Sequence, residues 1–325
     1  MIIELHGITK TFQICKRGAG LKEAIKSLFK KEYSYVKALD DISFRINRGE
    51  IVGYIGPNGA GKSTSIKIMC GILTPDSGEC TINGLVPWKN RINNSKQIGV
   101  VFGQRTQLWW DIPVADSFIL LKEIYEIPDP IYERNLNELD SILHIKFLLT
   151  VPLRQLSLGQ RMQCEFAAAL LHSPEILFLD EPTIGLDAVS KRAIRELIKE
   201  VNIRRKVTVL LTTHDMQDIE TLATRIILLW KGKLIFNGTP EQFKKKTLGD
   251  KVIRIKHADH ALPKRRGMTI RRISESETLI TFNSSKVSVS EVLSYINKNL
   301  AVRDIVISEA SIEDTVLHLY EKLKI

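Results

Sequence analysis

An α/β fold built on a parallel sheet is predicted by three observations. Several runs are apolar throughout rather than alternating: "IVGYIG", "IGVVFG", "EILFLDEP", "VTVLLTTH" and "RIILLW". Helix-length segments separate the later runs, and turns separate the earlier ones. A strand that is apolar on both faces needs cover on both faces, and helices lying between parallel strands provide it.

Taken in order, "IIELH" and "ISFRI" read as the first strands and lead into "IVGYIG" and "IGVVFG". Helical patterning then dominates from about 115 to 172, as an insertion into the sheet. "EILFLDEP" is followed by a helix from Ala188 to about Asn202. "VTVLLTTH" precedes a helix from Asp215, and "RIILLW" reads as a buried strand. A break falls at "NGTPEQFKKKTLGD". Beyond it lie alternating strands ("VIRIKHA", "TIRRI", "ETLITF"), a helix from Val289 to Asn299, the strand "RDIVIS" and a last helix from Ile312 to Leu323. Residues 240–325 therefore read as a separate α+β unit.

Composition sets the outer bounds. Among 325 residues, 44% are apolar and 26% charged, which suits a folded domain and not a disordered chain. "IILLW" is far shorter than the roughly 20 residues of a membrane span. "MIIELHGITK" lacks a basic region followed by an apolar core and a cleavage site, so a cytosolic protein is expected. Cys15, Cys70, Cys80 and Cys164 are scattered without a C-x-x-C pair, as reduced, packed thiols are. His257 and His260 lie close but without acidic or cysteine partners, and read as a solvated strand end. A net charge of +10 favours an anionic partner: a membrane surface, a nucleic acid or a nucleotide.

The chemistry concentrates in two stretches. "GYIGPNGAGKST" contains G-x-x-x-x-G-K-[ST] directly after an apolar strand and directly before a helix. Gly56, Gly59 and Gly61 let the backbone curl around an anion. Lys62 can reach the β- and γ-phosphates, Ser63 can hold Mg²⁺, and Thr64 stands at the helix start. The predicted nucleotide contact is Gly56, Pro57, Asn58, Gly59, Ala60, Gly61, Lys62, Ser63 and Thr64. "EILFLDEP" delivers Asp180 and Glu181 to the carboxyl end of a buried strand, where α/β sheets place their ligands. Asp180 is assigned to Mg²⁺ through water, and Glu181 to the attacking water as general base. His214 ends another apolar strand at the same edge, placed to donate to the γ-phosphate. These features specify a P-loop NTPase core with a parallel sheet over 1–239, a helical insertion subdomain at about 110–172, and the small α+β domain at 240–325.

A second anion site is written at "LSLGQRMQ", a tight polar loop opening into a helix from Arg161 to Leu171. Together with the phosphate loop and the paired acids, it resembles the ATP-binding subunit of ATP-binding cassette (ABC) transporters over roughly residues 1–240. The loop matches the family's LSGGQ signature except that Leu158 stands for the first glycine. The resemblance implies a head-to-tail dimer, homodimeric or heterodimeric, in which Ser157, Gly159 and Gln160 of one chain close over the ATP held by the other. Such donated charge stabilisation is worth roughly 10³ to 10⁵ in rate in other NTPases. It further implies that Gln104, in "VVFGQRTQLWWD", senses Mg²⁺ and the attacking water, with Gln107 as the runner-up. Asp187 of "TIGLDAVS" crosses the dimer interface. Trp109 and Trp110 either pack in the core or meet a membrane subunit. Tyr33 in "YSYVKAL" stacks on adenine, with Phe12 and Tyr35 as alternatives.

Residues 14–32, "ICKRGAGLKEAIKSLFKKE", read as an insertion carrying a basic amphipathic helix, which rests on its own domain, on an anionic inner leaflet or on a membrane partner. That insertion and the tail "RDIVISEASIEDTVLHLYEKL" resemble the drug, antibiotic and natural-product exporter branch. The expected function is thus an ATPase that uses Mg²⁺ and energises a separate permease from the inner face of the membrane. Two other functions are weighed against it. An import ATPase shares all the chemistry. A cassette acting on nucleic acid or ribosomes generally carries a coiled-coil insertion or a second cassette, neither of which appears, so no nucleic-acid partner is expected.

Overall fold

The computed structural model describes residues 1–16, 32–103, 105–247, 251–257, 262–263, 265–284 and 286–323. The chain divides into two compact units, Met1–Asn237 and Gly238–Ile325. The expected basic helix lies outside the described residues.

In the first unit, strands β3 (Ile51–Ile55), β5 (Ile98–Phe102), β6 (Ile176–Asp180), β7 (Thr208–Thr212), β8 (Arg225–Trp230) and β9 (Lys233–Gly238) form one sheet in the order β5-β6-β7-β3-β8-β9. From β5 to β8 every pairing is parallel. β9 returns beside β8 through Lys231 and Gly232, whose φ angles of +46° and +79° are those of a tight hairpin turn.

A second, antiparallel sheet of β1 (Ile3–Lys16), β2 (Glu32–Ile46) and β4 (Ser77–Ile82), ordered β2-β1-β4, was not apparent in the sequence. The reason is visible in β4, "SGECTI", where only Cys80 and Ile82 are buried, too short an alternation to stand out. Helix α1 (Lys62–Met69) buries Ile66, Ile68 and Met69 in one core with both sheets, among Leu5, Ile42, Val52, Tyr54 and Phe178. Strand position 53 on the opposite face is glycine because Ile219 of helix α7 (Met216–Leu222) packs there: an added Cβ would stand 2.8 Å from its Cδ1. The two faces of the sheet are thus both dry, and its strands are apolar throughout for that reason.

After the short α2 (Arg91–Ser95), helices α3 (Val114–Ile124), α4 (Asp129–Leu143) and α5 (Leu158–Leu170) make up the helical block. α5 starts three residues earlier than its sequence pattern suggests, because Ser157 and Gln160 form a reciprocal capping box. Helices α6 (Ala188–Arg205) and α7 (Met216–Leu222) follow β6 and β7, capped by Asp187 and Asp215. His172 ties the block to the sheet: its Nε2 donates to the Ile98 carbonyl at 3.0 Å, and its ring stacks on Tyr125 with centroids 4.0 Å apart.

The second unit opens with α8 (Pro240–Thr247). Its antiparallel sheet comprises β10 (Lys251–His257), β11 (Met268–Ser274), β12 (Glu277–Phe282) and β13 (Val302–Glu309), in the order β11-β12-β10-β13. Helix α9 (Val289–Asn299) sets Val292 and Ile296 against Ile253, Ile255, Ile280 and Phe282. Helix α10 (Ile312–Leu323) ends the unit. One expectation fails here. His257 is fully buried rather than solvated, because it is the last inward residue of β10 and its Nε2 lies 2.8 Å from Thr278 Oγ1; His260 lies outside the described residues.

Burial lowers the His172 pKa from 6.5 to about 4. The unfolded chain therefore takes up a proton near pH 6.5 that the folded chain refuses until about pH 4, and stability falls as pH drops through that window. The span corresponds to about 3 kcal/mol. His172→Phe, which keeps a ring against Tyr125, is expected to flatten the decline in unfolding midpoint between pH 6.5 and 4. An unchanged acid slope in thermal melts would refute this.

Candidate functional site

Register brings the site together. Asp180 of β6 pairs with Thr212 of β7, and Gly53 of β3 with Leu211, so the three strands stop almost level and release their loops at one edge. The loop after β3 carries residues 56–61 into α1. Gly61 precedes the helix at φ +107°, and an added Cβ would lie 2.5 Å from the Ala38 carbonyl, so this position tolerates no side chain. Beneath it, Tyr54 Oη donates to Ser65 Oγ at 2.8 Å, and Ser65 Oγ donates to the Gly61 carbonyl at 3.1 Å. The turn after β8 braces the other side: Gly232 N donates to Ala60 O, and Asp40 N to Gly232 O.

Lys62 is buried, with Nζ 2.6 Å from the Gly56 carbonyl and 3.2 Å from that of Pro57. Burial pushes its pKa down, against the opposing pull of Glu181 and Asp180. Ser63 Oγ lies 3.4 Å from Asp180 Oδ2, and Thr212 Oγ1 donates to Asp180 Oδ1 at 2.5 Å. Hydroxyl and carboxylate oxygens facing each other at this distance form an all-oxygen donor set, which suits a hard divalent cation such as Mg²⁺. Thr64 lies in the first turn of α1, and Asn58 and Gly59 are exposed at the loop's tip.

Glu181 follows at φ +56°, a left-handed conformation costly for a side chain of this kind. Its Oε1 lies 2.9 Å from His214 Nε2. The loop after β5 presses against its backbone: Gly103 N donates to Asp180 O at 2.9 Å, and a Cβ on Gly103 would stand 2.0 Å from the Glu181 carbonyl. Ser63, Phe102, Gly103, Asp180 and Glu181 share a cleft of about 550 Å³. Gln104 lies outside the described residues. Gln107 is committed elsewhere, its Nε2 donating to the Glu165 carbonyl at 3.0 Å. Glu165 is itself buried on α5, receives Thr106 Oγ1 and Gln107 N, and has its pKa raised by burial.

The second anion site lies elsewhere in the unit. Ser157 Oγ accepts from Gln160 N, and Gln160 Oε1 from Ser157 N. The capping box fixes the first turn of α5 and leaves the Leu158 and Gly159 amides at its open end. Gly159 faces Ser190 Oγ, which an added Cβ would meet at 2.7 Å, while Leu158 packs over Gly185. Asp187 is exposed and caps α6, accepting from Val189 N, Ser190 N and Ser190 Oγ. Trp109 and Trp110 are 41% and 48% exposed, so neither is a core residue, and Trp110 receives the Arg161 guanidinium 5.8 Å from its ring.

Of the three candidate aromatics, Phe12 pairs with Val36, Tyr35 with Gln13 and Tyr33 with Cys15. Ala38, whose carbonyl abuts Gly61, is two residues from Val36 and five from Tyr33, a difference of about 10 Å along a strand. Phe12 therefore stands nearest the phosphate loop. The weak sequence signal for it was its place in "TKTF", directly before the insertion.

Residues 39–184 match the family described as ABC transporter. The chain is 33% identical over 220 residues to a probable multidrug ABC transporter ATP-binding protein, YbhF of Escherichia coli K12, covering 68% of this chain but only 38% of that relative. It is 31% identical over 226 residues to the linearmycin resistance ATP-binding protein LnrL of Bacillus subtilis 168, covering 70% of this chain and 72% of LnrL. A dimeric ATP-binding cassette solved in a post-hydrolysis state with ADP and Pi superposes with a TM-score of 0.59 at 26% identity, covering 73% of this chain and 98% of that one.

Gly103→Ala tests the packing on Glu181. It is expected to lower ATP turnover at least about tenfold while ATP affinity stays within about threefold, because the displaced group lies beside the Glu181–His214 pair and not on the phosphate loop. Steady-state kinetics together with nucleotide titration would expose an equal loss in both, the contrary result.

Proposed function

The chain belongs to the ATP-binding proteins of ABC transporters, and on that premise we propose that it binds and hydrolyses ATP to energise a separate membrane permease, acting as a dimer with ATP held between two chains. The observation that carries this reading is the convergence at one strand edge of Lys62, the Ser63–Asp180 pair and the Glu181–His214 pair. In it, Lys62 and the backbone N–H groups of residues 58–64 bind and orient the phosphates. Glu181 takes the proton of the attacking water, and His214 holds Glu181 and donates toward the γ-phosphate. Ser63 and Asp180, with Gln104, would hold Mg²⁺, which when bound neutralises the phosphate charge. Phe12 rather than Tyr33 stacks on the base.

Closure by the partner supplies what one chain lacks. The first-turn amides of α5 and Ser157 of one protomer cover the nucleotide of its partner, and Asp187 meets the partner beside them. Among the described residues no helix is long and apolar enough to cross a membrane. That is compatible with peripheral attachment to the inner face through a permease. Export is the direction supported by the relatives named for multidrug transport and linearmycin resistance.

Two outcomes are expected. Glu181→Gln binds ATP and accumulates as an ATP-dependent dimer on size exclusion, with turnover down at least about 10²-fold, since water activation is lost while nucleotide contacts remain; normal turnover would remove Glu181 as the base. Phe12→Ala weakens ATP binding about tenfold, about 1 to 1.5 kcal/mol of ring stacking, whereas Tyr33→Ala changes it little. The reverse ranking in a fluorescent-nucleotide titration restores Tyr33.

A further inference from the structure

Behind the Glu181–His214 pair lies a buried carboxylate to which no role has been given. Asp218 of α7 is fully buried. Its Oδ2 accepts from Thr183 Oγ1 at 2.5 Å and from Thr213 Oγ1 at 2.9 Å, and its Oδ1 accepts from Arg195 Nε at 2.6 Å. Thr183 is two residues beyond Glu181, and Thr213 immediately precedes His214. One oxygen atom thus holds both loops that present the hydrolytic pair. Arg195 extends the link through α6. Its Nη2 lies 3.3 Å from Asp215 Oδ2, which also receives Lys191 Nζ at 2.7 Å, while Asp215 N donates to Thr213 Oγ1 at 3.0 Å.

A carboxylate taken fully out of water is costly unless it is paired and hydrogen-bonded, and well-packed apolar side chains would hold α7 against the sheet at least as firmly. What apolar packing does not give is direction. Glu181 sits in a left-handed backbone conformation that persists only when its surroundings over-determine it. The Thr183 hydroxyl anchors the chain two residues downstream of that strained position, and the Thr213 hydroxyl anchors the residue before His214, to the same atom. The separation between the two loops is thereby set from one point.

We propose that Asp218 is a positioning residue for ATP hydrolysis: through Thr183 and Thr213 it fixes Glu181 and His214 against each other, and through Arg195 it couples that pair to α6, the helix capped by Asp187. The inference rests on the ATPase reading above. Asp218 reaches no phosphate itself, so its loss acts on kcat and leaves ATP affinity in place.

The test uses the full chain, measuring single-turnover phosphate release from labelled ATP, ATP affinity and thermal unfolding for the parent and for Asp218→Asn, Thr183→Val and Thr213→Val. A parent that does not hydrolyse ATP overturns the ATPase reading, and this inference with it, before any variant is considered. With an active parent, Asp218→Asn is expected to lower kcat about 10²-fold, the scale of a misplacement near 1 Å, with affinity within about threefold. Each valine variant, which keeps shape and loses one hydroxyl, is expected to lower kcat about five- to tenfold. If Asp218→Asn does not fold, the two valine variants decide. In a His214→Ala background the cost of Thr213→Val should shrink to less than about threefold, and that of Asp218→Asn should fall toward the cost of Thr183→Val alone, because residues that act through one another are not additive. Undiminished cost in that background, folded variants with kcat within twofold of the parent, or equal losses in kcat and affinity would each overturn the proposal.

Discussion

Three parallel strands that end level are the constraint from which the site follows. Because Asp180 pairs with Thr212, and Gly53 and Leu179 both pair with Leu211, the chain leaves β3, β6 and β7 at one height and at adjacent positions. A slip of one residue in β6 would turn Asp180 to the opposite face and separate it from Ser63. Burial on both faces prevents such a slip: Phe178 belongs to the core shared with α1 and the antiparallel sheet, and the neighbouring positions Leu177 and Leu179 are as deeply buried. The close packing of particular side chains on each face, rather than apolarity as such, therefore holds the register that places a serine, two acids and a histidine within reach of each other.

The two anion sites are prepared by different means. At the phosphate loop, α1 begins without a side-chain cap, and the loop is held from outside by Ala38, the Lys231–Gly232 turn and the buried Tyr54–Ser65 pair. At α5 the reverse holds: Ser157 and Gln160 cap each other, so the first turn is rigid by itself. That box engages Gln160 through its Oε1 and its backbone N. Leu158, the departure from the family's glycine, has an intramolecular use. It packs over Gly185, joining the first turn of α5 to the loop that carries Asp187.

The sequence was most legible where chemistry demands a contiguous pattern. The phosphate loop, the acids in "EILFLDEP" and His214 at the end of "LLTTH" are legible because each motif is short and bounded by a buried strand. What it concealed is non-local. The antiparallel sheet depends on pairing β1 with β4 across some 70 residues, and β4 carries only two buried apolar positions. The start of α5 was misplaced because its cap lies inside a stretch that looked like a loop. Spacing from "AL" favours Tyr33 as the stacking aromatic, whereas the register of β1 against β2, which sets Phe12 opposite Val36, is not legible in the sequence. His257 was read as solvated because a charged-looking strand end gives no hint that its last inward side chain is covered. Exposure of Trp109 and Trp110 was equally invisible, since apolar identity says nothing about whether a neighbour is supplied by the same chain.

Helix α6 gives the Glu181–His214 pair a mechanical connection to Asp187. Its first residue is capped by Asp187, and two turns later Arg195 on the same helix holds Asp218, which in turn holds Thr183 and Thr213. An 18-residue helix is stiff over that distance, so a displacement of its amino end is passed on rather than absorbed. The same strand-end loop also runs directly from Glu181 to Asp187, with Thr183 between them bonded to Asp218. Asp187 is thus joined to Glu181 by two routes, one along the loop and one along α6, that meet again at a single buried carboxylate. In the dimer proposed above, a partner that engages Asp187 would bear on the geometry of Glu181 and His214 without touching either, a restraint that a single chain would not receive. On that proposal, hydrolysis would depend on pairing through this closed circuit as much as through the first-turn amides of the partner's α5.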